Sequence, residues 1–335
     1  MCNSTAMPYE DSRPLLVAVY SIVFAVGLPA NFLTATVTLV QIRRKNITAI
    51  YLFGLSLCEL MYLSTIPLWI LYVQNRRQWT MGHLSCQVTG YIFFCNVYIS
   101  ILLLCCISID RYVAVVYALE SRGKWCRCQT TAAAVTVFLF GMVAVIYCPV
   151  FFVKDVQDQV GKTCFEAQLN HNLAYYNIIR FFVGFSIPFV LLLFMNYKVF
   201  QSIKTSCSLN PAQKRKVKSL AIAVISIFLV CFAPYHCVLL VRAIFFFWHS
   251  DDERCKFERS IYTTSVVFLC FSTANAVADP FIYVLVSENA RREISRTFRA
   301  CGIQFPVGSK TESSKGNDPP KSPKEIHTPG SEGDR

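Results

Sequence analysis

Apolar residues in this chain neither keep to one helical face nor alternate as they would in a strand; they fill whole segments. Seven long runs can be read, roughly Leu15–Ile42, Ile47–Val73, Cys86–Tyr112, Thr130–Phe152, Leu173–Phe200, Val217–Phe247 and Ile261–Val286. About 20 apolar residues cross a bilayer as a helix, and the lack of water in lipid forces each spanning backbone to bond to itself. Prolines at 29, 67, 149, 188, 234 and 280 lie within or near six of the runs. They would break soluble helices but are tolerated as kinks in a membrane bundle. The pattern predicts an all-α membrane protein with a seven-transmembrane helix bundle over residues 15–286.

The polar remainder sets the other boundaries. Residues 1–14 form a polar N-terminal segment, with no signal peptide expected ahead of run one. Residues 287–301 include an amphipathic stretch, Ser287–Ala300, predicted to lie on the inner leaflet as a short eighth helix. Residues 302–335 are rich in Ser, Pro, Lys and Gly and are expected to form a disordered cytoplasmic tail, with Ser322-Pro323 and Thr328-Pro329 as candidate phosphosites.

Charge gives the runs a direction. Arg43, Arg44 and Lys45 follow run one; Arg122, Lys124 and Arg127 follow run three; Lys198 and Lys204 close run five; and Lys214, Arg215, Lys216 and Lys218 open run six. Arg291, Arg292, Arg296 and Arg299 follow run seven, whereas the opposite loops carry Asp155, Asp158, Glu166, Asp251, Asp252, Glu253 and Glu258. The positive-inside rule therefore places the N-terminus outside and the C-terminus inside. The net charge of +12 is an orientation signal, and no nucleic-acid partner is implied. Asn3-Ser4-Thr5 is a glycosylation acceptor on the outer side, while Asn46-Ile47-Thr48 falls on the inner side and is expected to stay unused.

Composition agrees. The chain is 54% hydrophobic and 16% charged over 335 residues, against about 25% charged in a soluble domain. Most of its 16 cysteines lie in apolar runs, where free Cys acts as a small hydrophobe. Cys126 and Cys128 lack a second pair or a His at metal spacing, so no metal is predicted. Cys301, just beyond the amphipathic stretch, is a candidate palmitoylation site.

Several landmarks stand in register on the seven runs: Gly27 to Asn31 in run one, Cys86 opening run three and Asp110-Arg111-Tyr112 closing it. Pro188 follows in run five, Cys231-Phe232-Ala233-Pro234 in run six and Asp279-Pro280-Phe281-Ile282-Tyr283 in run seven. Together they resemble the rhodopsin-like class of G-protein-coupled receptors over about residues 15–300. Tyr51-Leu52-Phe53, Pro67-Leu68-Trp69, Tyr91-Ile92-Phe93-Phe94-Cys95-Asn96 and the stretch from Val115 to Gly123 are similar to the proton-sensing group within it.

The resemblance implies heterotrimeric G proteins as partners, with arrestin and receptor kinases acting at the tail. It implies acid, oxidised fatty acids or lysolipids as the outer signal. It also implies a Cys86–Cys164 disulfide and, for this group, a Cys2–Cys255 bridge. Coupling would fall to Asp110, Arg111, Tyr112 and Tyr283. The chain departs from the class at several places. Glu59 stands where Asp is usual, Phe232 where Trp is usual and Asn196 where Tyr is usual, and run four has no Trp. Lys214, Arg215 and Lys216 occupy the place of an acid that often pairs with the run-three Arg. Arg111 is therefore expected to rely on Asp110 at rest, and basal signalling to be raised.

Three groups of residues carry candidate chemistry. Glu59 and Asp279 are acids inside apolar spans, where such residues are usually functional; the resemblance places Asn31, Ser100 and Asn275 beside them. Two carboxylates in one dry site do not both ionise easily, so the group can hold a proton or a sodium ion, and no other cofactor is implied. His83, His171 and His249, read as outer-loop residues, and His236 near Pro234 are alternative proton sensors. Arg180, eight residues before Pro188, is the candidate anchor for a lipid carboxylate, which a guanidinium holds bidentately; the alternative is an internal pair with Glu166. Arg76, Arg77 and Arg242 would guide the anion in. Tyr91, Tyr98, Phe181, Phe232 and His236 would line an apolar pocket.

Two rivals fail on residues. A retinal-type pump or other seven-helix transporter of that kind needs a Schiff-base Lys, and Ile261–Val286 has none. A membrane enzyme needs a metal cluster, nucleophile elbow or phosphate loop, and no such motif stands in an aqueous loop, so no enzymatic activity is expected.

Overall fold

The computed structural model describes residues 9–116, 129–152, 163–164, 169–205 and 210–286, with side chains described over 12–116, 129–150, 163–164, 169–205 and 210–282. The chain divides into two units, Met1–Glu293 and Ile294–Arg335, and every described residue belongs to the first. Asn3, Cys2, Glu166, Cys301, the expected eighth helix and tail, and the side chain of Tyr283 lie outside the described residues.

Among these residues the structure is helical, with seven helices long and apolar enough to cross a membrane. They are α1 (Tyr9–Arg43), α2 (Thr48–Leu63 and Ile66–Gln74), α3 (His83–Val116), α4 (Gln129–Phe152), α5 (His171–Thr205), α6 (Pro211–Trp248) and α7 (Asp251–Ser272 and Asn275–Val286). α1 packs on α2 and on both halves of α7; α3 touches α2, α4, α5 and α6. The central place of α3 shows in its burial: 72% of its most apolar window is buried, against 17% for α4. The core holds Tyr62, Ile101, Leu103, Leu104, Ile107, Phe228 and Phe232. Outside it, Phe32, Val137, Phe138, Val145, Val190 and Val230 are exposed, an apolar mantle that suits lipid rather than water.

Helices α2, α5, α6 and α7 break or widen along their length, and local bonds cover the backbone there. Ahead of Pro67, the hydroxyls of Ser64 and Thr65 donate to the Met61 and Tyr62 carbonyls at 2.6 and 2.7 Å. Pro188 offers no N–H to the Gly184 carbonyl. There α5 widens into a π-turn over Phe182–Ser186, with Ile187 N–H reaching Phe182 O. α6 does the same over Phe228–Phe232 before Pro234. In α7 the break at Thr273 and Ala274 is covered by Thr273 Oγ1, which donates to Cys270 O at 2.6 Å.

Helix starts correct the sequence reading in four places. α7 begins at Asp251, ten residues before the apolar run, because Ser250 and Glu253 form a capping box and Asp251, Asp252 and Glu253 favour the positive helix start. Those acids and Glu258, read as loop, are helical. His83 and His171, also read as loop residues, are the first residues of α3 and α5, and Asn170 caps the latter by accepting from Leu173 N at 2.8 Å. α6 starts at Pro211, six residues early, on an Asn210–Gln213 capping box with Pro at its first turn. Apolarity marks the lipid depth; caps mark the helix.

A disulfide joins Cys86, near the start of α3, to Cys164. Cys255 is also disulfide-bonded, and the partner expected for it, Cys2, lies outside the described residues. Replacing Cys86 with Ser is expected to cost about 2–5 kcal/mol. Surface labelling and the thermal midpoint in detergent would check it, and a wild-type midpoint would refute it.

Candidate functional site

Arg180 lies in the outer half of α5, on the face that also buries Ala174 and Asn177. It is only 7% exposed, and among the described residues no carboxylate pairs with it. Its Nε donates to Tyr98 Oη at 2.9 Å, one Nη to Asn177 Oδ1 at 3.5 Å and the other to Tyr235 Oη at 3.2 Å. The guanidinium carbon sits 4.5 Å from the Phe94 ring centre, and 5.6 to 5.8 Å from those of Tyr98, Tyr176 and Tyr235. Ring faces attract a cation, but three neutral acceptors and four rings leave its full charge in place. A guanidinium has five N–H groups, so the cage leaves donors for an incoming anion.

His236, from α6, is fully buried beside this cage, and Phe185 stacks on it at 4.9 Å. Its Nδ1 donates to Phe232 O at 2.8 Å and its Nε2 meets Tyr98 Oη at 3.2 Å.

Other residues expected around the pocket are placed elsewhere. Tyr91 donates to the Ala144 carbonyl at 3.0 Å, tying α3 to α4, because a hydroxyl in the spanning region needs an acceptor. Phe181 packs on Phe182 and Phe185 along its own helix. Phe232 lies edge-on to Phe228 in the core. Arg242, expected to guide the anion in, meets an acid of the protein: both its Nε and Nη2 donate to Glu258 at 3.0 and 2.6 Å, a bidentate clamp between α6 and α7 that the early start of α7 makes possible. Arg77 bonds to the Tyr262 hydroxyl and lies over its ring.

The acids in α2 and α7 do form one polar cluster. Glu59 is fully buried and Asp279 is 3% exposed. Ser100 Oγ and Asn275 Nδ2 both donate to Glu59 Oε1, at 2.9 and 2.7 Å. Asn31 Nδ2 donates to the Ala276 and Gly27 carbonyls at 2.6 and 3.0 Å, joining α1 to the break in α7. Glu59 Oε2, both Asp279 oxygens, Asn31 Oδ1 and Asn275 Oδ1 are buried acceptors without a hydrogen-bond partner. Groups of that kind are rare and call for a proton, ion or water.

At the inner end, Arg111 donates to Asp110 Oδ2 at 2.7 Å and also to the Thr48 hydroxyl. Thr48 in turn donates to Asp110 Oδ2 at 2.6 Å. The sequence pointed to Asp110 alone; Thr48, at the start of α2 and 1% exposed, completes the lock from another helix. Asn196, where the class usually has Tyr, donates to Ser108 Oγ at 3.2 Å. Thr48→Ala is expected to release Arg111 partly and raise ligand-free signalling by roughly tenfold, the equivalent of about 1.4 kcal/mol for a bond to a charged group. Nucleotide exchange at matched receptor density checks this, and an unchanged basal rate would refute it.

The outer histidines sit among rings. His171 is exposed and packs on Phe246 and Phe247, at 5.1 and 6.1 Å. His249 stacks on Phe245 at 3.7 Å, and Phe257 stacks on the same Phe245 ring at 3.9 Å. His83 is exposed at the start of α3.

Comparison with known proteins is consistent in direction. A model of the 7 transmembrane receptor (rhodopsin family) matches residues 30–283. "Probable G-protein coupled receptor 132" of Mus musculus is 56% identical over 292 residues, 86% of this chain and 75% of the relative. The Homo sapiens protein of that name is 51% identical over 298 residues, 88% of this chain and 76% of the relative. "G-protein coupled receptor 68" of Mus musculus is 34% identical over 310 residues, 89% of this chain and 81% of the relative.

Proposed function

Since this chain belongs to the rhodopsin family of seven-transmembrane receptors, multi-pass proteins of the plasma membrane that pass an outside signal to heterotrimeric G proteins, we propose that its agonist is an anionic lipid whose carboxylate docks on Arg180. One observation carries the reading: a buried guanidinium held by neutral groups, with no acid beside it among the described residues. A buried charge lacking a counter-charge is costly, and a carboxylate entering the cage would relieve that cost through two short charge-assisted bonds. Phe94, Tyr147, Tyr176 and Phe185 give the chain of such a lipid apolar walls. An oxidised fatty acid fits this chemistry, its single carboxylate charge matching one guanidinium.

Protonation is a second reading, favoured by the five unpartnered acceptor oxygens around Glu59 and Asp279. In the same cluster a sodium ion is the competing occupant, held by carboxylate and amide oxygens, and it would stabilise the resting bundle. Movement of α6 away from α3 would open the inner cleft beside Arg111 to the G protein. Arrestin and receptor kinases would then act at the tail. The deciding experiment is a second-messenger panel between about pH 6 and 8, with and without a hydroxylated octadecadienoic acid, on wild type and Arg180→Ala. A lipid response that survives Arg180→Ala would remove the anchor reading. An acid response lost in Asp279→Asn would support the second.

A further inference from the structure

Gly184 lies inside the π-turn of α5, and a Cβ there would come within 2.5 Å of Tyr98 Cε1 and 3.1 Å of Tyr98 Cδ1. The neighbour is a ring packed on Tyr147 at 5.2 Å and edge-on to His236 at 5.7 Å, so it has no easy way to yield. With hydrogen alone at position 184, the Tyr98 ring can cross from α3 to the α5–α6 seam. Its hydroxyl then reaches both Arg180 and His236.

Donor and acceptor chemistry orders the bonds. The Phe232 carbonyl can only accept, so His236 Nδ1 carries a proton. In the neutral ring Nε2 is then a lone pair. Arg180 Nε can only donate, so the Tyr98 oxygen accepts from it, and the hydroxyl proton goes to His236 Nε2. The alternative, an imidazolium, would aim a second cation at an oxygen already facing Arg180. One directed chain results: Arg180 Nε–H to Tyr98, Tyr98 O–H to His236, His236 Nδ1–H to Phe232 O, at 2.9, 3.2 and 2.8 Å. It ends on the last residue of the π-turn in α6, two residues before Pro234, where the backbone already departs from helix at φ −105°.

We propose that Gly184, Tyr98 and His236 are positioning residues that tie the Arg180 anchor to the bend of α6 through this single chain of hydrogen bonds. An anion that draws the guanidinium away from Tyr98 frees the hydroxyl, loosens its hold on His236 and relaxes the side-chain clamp on the Phe232 carbonyl. Only the effect of a ligand rests on the anchor reading above; the resting chain does not.

The test uses full-length receptor in lipid nanodiscs with ¹⁵N-labelled histidine, the His236 signal being identified by its loss in His236→Phe. The wild type without ligand should show the neutral Nδ1–H tautomer at His236 with an Nε2 signal displaced by the bond from Tyr98, and Tyr98→Phe, which keeps the ring, should keep that tautomer and move Nε2 to the position of an imidazole lone pair with no donor. Ligand-free nucleotide exchange provides the second arm. Tyr98→Phe and His236→Phe should each change the rate by about three- to tenfold, the range of one net hydrogen bond, and the double variant no further. Gly184→Ala should reproduce the Nε2 displacement of Tyr98→Phe while thermal midpoint and surface level report that it folds. An imidazolium or Nε2–H form in wild type, an Nε2 signal indifferent to Tyr98→Phe, or multiplicative effects in the double variant would overturn the proposal. A wild-type Nε2 signal in Gly184→Ala would remove Gly184 from it. If these results hold and Arg180→Ala still answers the lipid, the anchor reading alone fails.

Discussion

Arg180→Ala is expected to raise the concentration of a hydroxylated octadecadienoic acid needed for half-maximal signalling by about 100-fold or more. Truncating one partner of a buried charge pair costs about 2–5 kcal/mol, and each 1.4 kcal/mol is a decade in affinity. Arg180→Lys should fall between, because an ammonium keeps the charge but cannot hold Tyr98, Asn177 and Tyr235 in one plane while forking to a carboxylate. The methyl ester of the same lipid, tested on wild type, should be about as weak as the acid is on Arg180→Ala, since each removes one side of the same pair. Dose–response curves for G-protein dissociation at matched surface expression measure all three. Equal potency of acid and ester on wild type would show that Arg180 is not the anchor.

Sodium should stabilise the wild-type receptor and not Asp279→Asn. Five acceptor oxygens without donors converge from α1, α2 and α7, and a cation that binds only the folded bundle adds about 1.4 kcal/mol at ten times its dissociation constant. At about 2–4 °C per kcal/mol that is a midpoint shift of roughly 3–6 °C, read by thermal unfolding in sodium against choline chloride. Glu59→Gln should lose the same shift, because Glu59 and Asp279 supply the two charged oxygens sets of one cluster. A shift that persists in both variants would place sodium elsewhere. One produced equally by acid without sodium would assign the cluster to a proton.

The bundle was legible in the chain because lipid removes alternatives. A long apolar run can only span as helix, so seven runs fix seven helices, and basic residues at alternate ends fix their direction. One spacing along a helix was legible too: Ser100, eleven residues before Arg111, shares its face by helical period. Helix ends were less so. Asp251 to Glu258 read as loop because they are polar, yet a capping box carries the helix well past the apolar stretch.

Contacts between helices were the part that sequence spacing does not encode. Arg180 stood out, since a charge in a span needs a reason, but its surroundings did not. Phe94, Asn177 and Tyr235 converge on it from three helices, while Tyr91 and Phe181, equally aromatic and equally apolar in setting, turn to α4 and along α5. Arg242 looked free to meet an anion until the extended α7 brought Glu258 to it. Thr48 was one more residue at the start of a run; only the approach of α2 to α3 makes it the third member of the Asp110–Arg111 lock.

The sequence by itself determined the class of solvent, the number and direction of the helices, the family, and which buried charges needed explanation. These are one-dimensional properties: apolar length, loop charge, and motifs in fixed order. The tertiary structure decided which groups meet those charges. Partners a few ångströms away lie tens or hundreds of residues apart in the chain, as Asn275 does from Glu59 at a separation of 216. Whether such groups meet depends on how π-turns, prolines and one missing side chain at Gly184 rotate and space the helices.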